Sequence, residues 1–180
     1  MKRMLYIVLI GLSLILAACG PSETEVITEL EQEAKAQFDQ QKQEPNQTLT
    51  HFSLYLPEGY KIDSNDETNV VIRQTDQLYL LFHNPFEDKQ SQTYYESLEM
   101  LEDTTYLQSF EGEDYFGYIY LRPLETDYEL QVGIGGTKIT TQTTLDQVQA
   151  EASQLITILT SLDLNETTSS TTSTKTKTTD

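Results

Sequence analysis

The chain has 180 residues, with 11 Lys plus Arg against 29 Asp plus Glu, a formal charge of −18, one cysteine, two histidines and no tryptophan. A single cysteine excludes a disulfide framework, and with two histidines it leaves too few ligands for a Cys/His zinc site. The acidic balance excludes a nucleic-acid footprint, which needs a basic stripe, and the length is short for a two-lobed solute receptor.

The first element is a leader. Lys2-Arg3 precedes an apolar run from Leu5 to Leu16, and small residues follow at Ala17-Ala18. This is the layout of a secretory signal over residues 1–18, and the run is too short to span a bilayer as a mature helix. Leu16-Ala17-Ala18-Cys19 resembles the lipobox of bacterial lipoproteins. That resemblance implies cleavage before Cys19 and a diacylglyceryl group on its sulfur, with an N-acyl chain where the family adds one. It implies a chain held at the cell membrane, on the extracytoplasmic face, with Cys19 serving attachment and not redox chemistry. Two acyl chains suffice for stable anchoring where one is marginal.

Residues 19–46 read as an acidic, Gln/Glu-rich tether. As a coil, the segment after the cysteine reaches on the order of 30 Å. Val26, Ile27, Leu30, Ala34 and Phe38 fall close to helical spacing, so the alternative is a helix packed on the body or on a partner.

Residues 47–164 read as one α+β domain. Phe52, Leu54 and Leu56 alternate with polar neighbours, and Pro57-Glu58-Gly59 turns the chain. Val70–Ile72 and Leu78–Phe82 predict two further strands; the second is apolar on both faces, the mark of a strand covered on both sides. The spacing of Tyr94, Tyr95, Leu98 and Leu101 predicts a helix over 91–102. Tyr115–Leu121 is again two-faced, whereas Tyr128–Ile134 alternates strictly, which predicts one wet or lightly covered face. Gly135-Gly136 turns that strand into 137–142, a hairpin and not a phosphate loop, since no helix follows it. A helix over 144–162 carries Leu145, Val148, Ala152, Leu155, Ile156, Leu159 and Leu162 on one stripe, with Thr144 and Gln147 spaced for a capping box. Strands, helix, strands and helix in that order suit a largely antiparallel sheet.

Phe52-Ser53-Leu54-Tyr55-Leu56-Pro57-Glu58-Gly59-Tyr60, with the closing Leu155-Ile156-Thr157-Ile158-Leu159-Thr160-Ser161-Leu162, is similar to the opening and end of domains of the PsbP and Mog1 type. That resemblance implies an α/β/α sandwich around an antiparallel sheet. It carries fold and little activity, because members have unrelated functions.

Residues 165–180 are a Thr/Ser-rich tail, expected to be disordered. Candidate chemistry is scarce. His51 and His83 are the only side chains that titrate near neutrality without a large shift, and a hydrolase would draw on them or on acids. Two acidic turns, one with Asp63, Asp66 and Glu67 and one with Glu111, Glu113 and Asp114, are weak candidates for Ca²⁺ or Mn²⁺. Hydrated turns are the simpler reading, since the EF-hand pattern fails, and no cofactor is expected beyond the lipid. Phe116, Tyr118 and Tyr120 share a strand face suited to a core edge or to recognition.

Residues 47–164 hold 20 acidic and 5 basic side chains, a net −15 that anionic headgroups repel. The expectation is a non-enzymatic domain standing off its membrane and supporting or binding another envelope component, an unidentified protein or polymer. A cation-binding accessory lipoprotein and an envelope hydrolase are the alternatives.

Overall fold

The structure, a computed structural model, describes residues 20–164. The expected signal peptide over 1–18, Cys19 and the Thr/Ser-rich stretch over 165–180 lie outside the described residues. The expected antiparallel α+β body is present, but it begins earlier than residue 47.

Helix α1 spans Glu23–Phe38. Ser22 caps it: its hydroxyl accepts from the Glu25 backbone N–H at 3.3 Å, while the Glu25 carboxylate accepts from the Ser22 N–H at 2.9 Å. This reciprocal pair satisfies two of the donors that a helix start leaves free. Val26, Leu30, Ala34 and Phe38 follow one another every four residues and are all buried within the main core. The tether expected over 19–46 therefore does not hold for this stretch, where the alternative of a packed helix does. Phe38 stacks on Phe110 and Tyr115 at ring-centroid distances of 5.2 and 5.8 Å. It also occupies the space above Gly117, where a Cβ would lie 2.7 Å from its ring. Polar contacts pin the helix along its length. Tyr128 donates to Glu23 at 2.8 Å, Gln149 to Glu33 at 2.8 Å, and Lys35 to the Glu111 carbonyl at 2.7 Å.

Short strands β1 (Gln47–Thr48) and β2 (Phe52–Leu54) form a small sheet with β10 (Asp163–Leu164). Asn46 locks the entry: its side chain accepts from the Leu56 N–H and donates to the Leu56 carbonyl, both at 2.9 Å. The main sheet holds β3 (Tyr60–Asn65), β4 (Asn69–Gln74), β5 (Gln77–His83), β6 (Tyr106–Glu111), β7 (Phe116–Pro123), β8 (Tyr128–Ile134) and β9 (Thr137–Thr143). Its order is β3-β4-β5-β9-β8-β7-β6, and every pairing is antiparallel. A register shift between Ile62 and Ser64 bulges β3.

Register separates the two faces, because directly paired residues point the same way. One face carries Val70, Ile72, Tyr79, Leu81, Ile119, Leu121, Leu130, Val132 and Ile139, all buried. Packed on it are α1 and α3 (Val148–Thr160), the latter entered through a 3-10 turn at Leu145–Gln147. The capping box expected at Thr144 is not formed. Gln147 N–H bonds instead to the Thr144 carbonyl at 3.0 Å, the short-range bond of a 3-10 start. On the other face, among the described residues, lies only α2 (Thr93–Glu99), shorter than expected because Leu101 falls beyond its end and is exposed.

Gly135 in the β8–β9 hairpin has φ +52°, and a Cβ there would meet the Asp88 carbonyl at 2.0 Å. The loop after β5 laps this hairpin, with Asn84 N–H bonded to the Gly136 carbonyl and Gly136 N–H to the Asp88 carbonyl. Gly135→Ala adds left-handed strain and a backbone clash; urea unfolding should show a loss of about 2–4 kcal/mol.

Candidate functional site

The face carrying α2 is where the molecule is unfinished. Over β6, β7 and β8 it is closed: Leu98 packs with Tyr118 and Tyr120, flanked by Tyr94, Tyr95 and Leu107. Gly133 makes room for Tyr118, whose ring would sit 2.2 Å from a Cβ at that position. Gln131 donates to the Tyr118 hydroxyl at 2.9 Å and is itself buried. The wet face expected for β8 is thus covered, since a polar side chain with an internal partner can be buried at little cost. The Phe116–Tyr118–Tyr120 stripe belongs to this closed region.

Cover ends at Phe82, whose ring meets Tyr94 edge-on at 6.0 Å, and at Lys138, whose ammonium lies 5.0 Å from the Tyr94 ring centre. Beyond them, Leu80 and Leu78 on β5 are 48% and 47% exposed. Both belong to a strand with neighbours on each side, so the expected second cover of β5 is missing along most of its length. Tyr79 and Leu81, on the other face of the same strand, are 0% exposed. Val71, Leu78, Leu80, Leu124, Thr140 and Gln142 line an open groove of about 450 Å³.

A polar trough of about 420 Å³ adjoins it, sharing Leu78 and Gln142 and running past Asp76, Asp127, Gln147 and Glu151. Glu151 accepts from the Tyr79 hydroxyl at 3.2 Å. Burial pushes the Glu151 carboxyl above its ordinary range, and that hydrogen bond partly opposes the shift. The Gln74 side-chain oxygen lies 3.2 Å from the same hydroxyl and competes for its one proton, and burial first, then its bonds to Tyr60 and Glu151, raise the Tyr79 pKa. The combined surface has an apolar floor and acidic margins, suited to contact more than to bond-making chemistry.

The candidates taken from the sequence lie elsewhere and do not converge. Asp63 forms an ion pair with Arg73 at 2.7 Å, which holds its carboxyl below the ordinary range. Asp66 accepts from the Thr68 and Asn69 backbone at 2.9 and 2.8 Å, and those bonds depress its pKa in the same way. Glu67 is exposed in that turn. In the other turn Glu111 and Glu113 are exposed, and Asp114 lies 3.8 Å from Lys42. Among the described residues no three His, Cys, Asp or Glu side chains gather in a way that could hold a metal ion.

His51 is exposed. His83 is 4% exposed, with Nδ1 2.8 Å from the Thr137 hydroxyl and the Phe52 ring edge-on at 5.4 Å. Burial first, and then the proximity of His51, lowers its pKa. The cavity beside it is about 20 Å³, bordered by Glu87, Asp88, Lys89 and Leu159. That is room for about one water and for no substrate.

No protein-family model and no curated protein matches the chain. A solved structure from Bacteroides thetaiotaomicron VPI-5482 is 12% identical, with a TM-score of 0.33, and the match covers 64% of this chain and 46% of that one.

A buried histidine whose pKa is lowered has a pH signature. Below its ordinary pKa of 6.5 the unfolded chain takes up a proton that His83 in the fold does not. Stability therefore rises with pH from the depressed folded value up to about 6.5 and is flat above it. Thermal melts between pH 5 and pH 7 should show this rise, and His83→Gln should flatten it.

Proposed function

We propose that this chain is a lipid-anchored, extracytoplasmic, non-enzymatic domain that binds another component of the cell envelope through the open strip on β4, β5 and β9. One observation carries the reading: Leu78 and Leu80 stand about half exposed on an interior strand. The half of each side chain that the fold leaves uncovered can be buried only by contact with something else. Covering what remains exposed of the two leucines is worth about 1–2 kcal/mol apiece. The anchoring half of the reading rests on Leu16-Ala17-Ala18-Cys19. The finer fold reading, a sandwich of the PsbP and Mog1 type, is supported by an antiparallel sheet with helices on both faces.

The two halves are tested separately. Cys19→Ala should move the protein from the membrane fraction to the medium, and continued membrane retention counts against lipidation. A photoreactive amino acid at Leu80 should give one discrete crosslinked product in intact cells. Leu78→Asp should abolish that product while leaving the melting temperature within about 2 °C, since the site is exposed. Crosslinking that is diffuse, or unaffected by Leu78→Asp, removes the strip as a binding surface.

A further inference from the structure

The helix cap at Ser22 leaves only Gly20 and Pro21 between Cys19 and the folded body. From the Cys19 Cα to the Ser22 Cα the chain reaches at most about 11 Å. A lipid on Cys19 therefore cannot carry the domain out on a long coil. We infer that the anchor holds one particular end of the domain against the bilayer, so that the open groove faces the headgroup layer at its lower edge. This rests on the lipid-anchor reading of Cys19.

Contacts between elements define which end that is. The start of α1 touches the start of β8 through the bond from Tyr128 to Glu23. Tyr128 pairs with Pro123 and with Thr143, which brings the β7–β8 loop and the exit of β9 to the same end. Gln142 donates to Asp127 at 2.8 Å and Gln77 donates to Thr141, which adds the β4–β5 turn. Leu124, in the β7–β8 loop, is 37% exposed there, and with Leu78 it forms the groove's border at this end. The opposite end carries the β6–β7 turn around Glu113 and the Gly135-Gly136 hairpin. Six residue steps along β8 separate the two ends, roughly 20 Å.

Charge does not produce this placement. Glu23, Asp76, Glu125 and Asp127 lie at the membrane-facing end, and anionic headgroups repel them. The short covalent link overrides that repulsion. An exposed leucine at the loop gives this end an apolar tip for the interface.

Cys19 is the chain's one cysteine, and lipidation blocks its thiol, so an added cysteine is uniquely labelled. Mature lipidated protein carrying Thr126→Cys or Glu113→Cys, each with a fluorophore, is placed in vesicles of phosphatidylethanolamine and phosphatidylglycerol with headgroup nitroxides. The label at 126 should be strongly quenched and the label at 113 left bright. A twelve-residue Gly/Ser spacer between Gly20 and Pro21, reaching roughly 19 Å as a coil, should abolish the difference. Equal quenching at both sites without the spacer, or a difference that survives the spacer, overturns the placement while leaving anchoring intact. Protein that fails to fractionate with the vesicles at all overturns the anchor reading and the placement with it.

Discussion

Everything in this fold leans on one contact, the burial of α1 against the sheet beside α3. Leu30 and Ala34 are 2% and 1% exposed, and Phe38 fills a slot that only glycine at 117 leaves open. Burying Val26, Leu30 and Phe38 contributes about 1.5–3 kcal/mol each before entropy is counted. A domain of this size is stable by about 5–15 kcal/mol in total, so the helix is not an accessory. Ile119, Leu121, Phe110 and Tyr106 are covered on that face because α1 lies over the β6–β7 half of the sheet.

That contact also decides what the other face is free to do. Among the described residues both long helices lie on one side, and the second layer consists of α2, seven residues long. It closes the tyrosine cluster over β7 and stops short of β5. The result is an apolar strip bordered by carboxylates, on a chain whose described residues hold 27 acids and 7 bases. On the proposed lipid-anchor reading of Cys19, the same helix placement shortens the link from a long coil to the two residues Gly20 and Pro21. The proposed binding surface and the proposed anchor geometry thus both rest on one packing event.

The strong periodicities were legible in the residues themselves. Of the helix expected over 144–162, 148–160 is α-helical behind a 3-10 turn; of the two-faced run expected over Tyr115–Leu121, Phe116 onward is strand; and the Gly135-Gly136 hairpin appears where its pattern places it. What failed has physical causes. In α1 the buried stripe is one residue wide and its other positions are mostly Glu, Gln, Thr and Lys, so local composition resembles a solvated spacer. Strand β3 is hidden because Lys61, Asp63 and Ser64 interrupt its alternation and the strand bulges there. Gln131 reads as solvent-facing, yet the Tyr118 hydroxyl across the sheet lets it be buried. For the candidate site, the apolar face of Leu78 and Leu80 was visible, but its lack of cover was not. A two-faced strand records that something should cover it, and only the tertiary arrangement shows that no part of residues 20–164 does. Leu124 carries no periodic signal, and the acidic turns drew notice through composition alone.

Whether α1 is part of the fold is best settled by unfolding the chain from Gly20 onward in urea, followed by circular dichroism, with Leu30→Ala and the exposed control Glu29→Ala. A core position loses about 2–4 kcal/mol on such truncation, while a surface control stays within about 0.5 kcal/mol. That outcome is the one predicted here. If Leu30→Ala is as silent as its neighbour, residues 23–38 are a solvated tether, and both the proposed short anchor and the one-sided helix layer are contradicted.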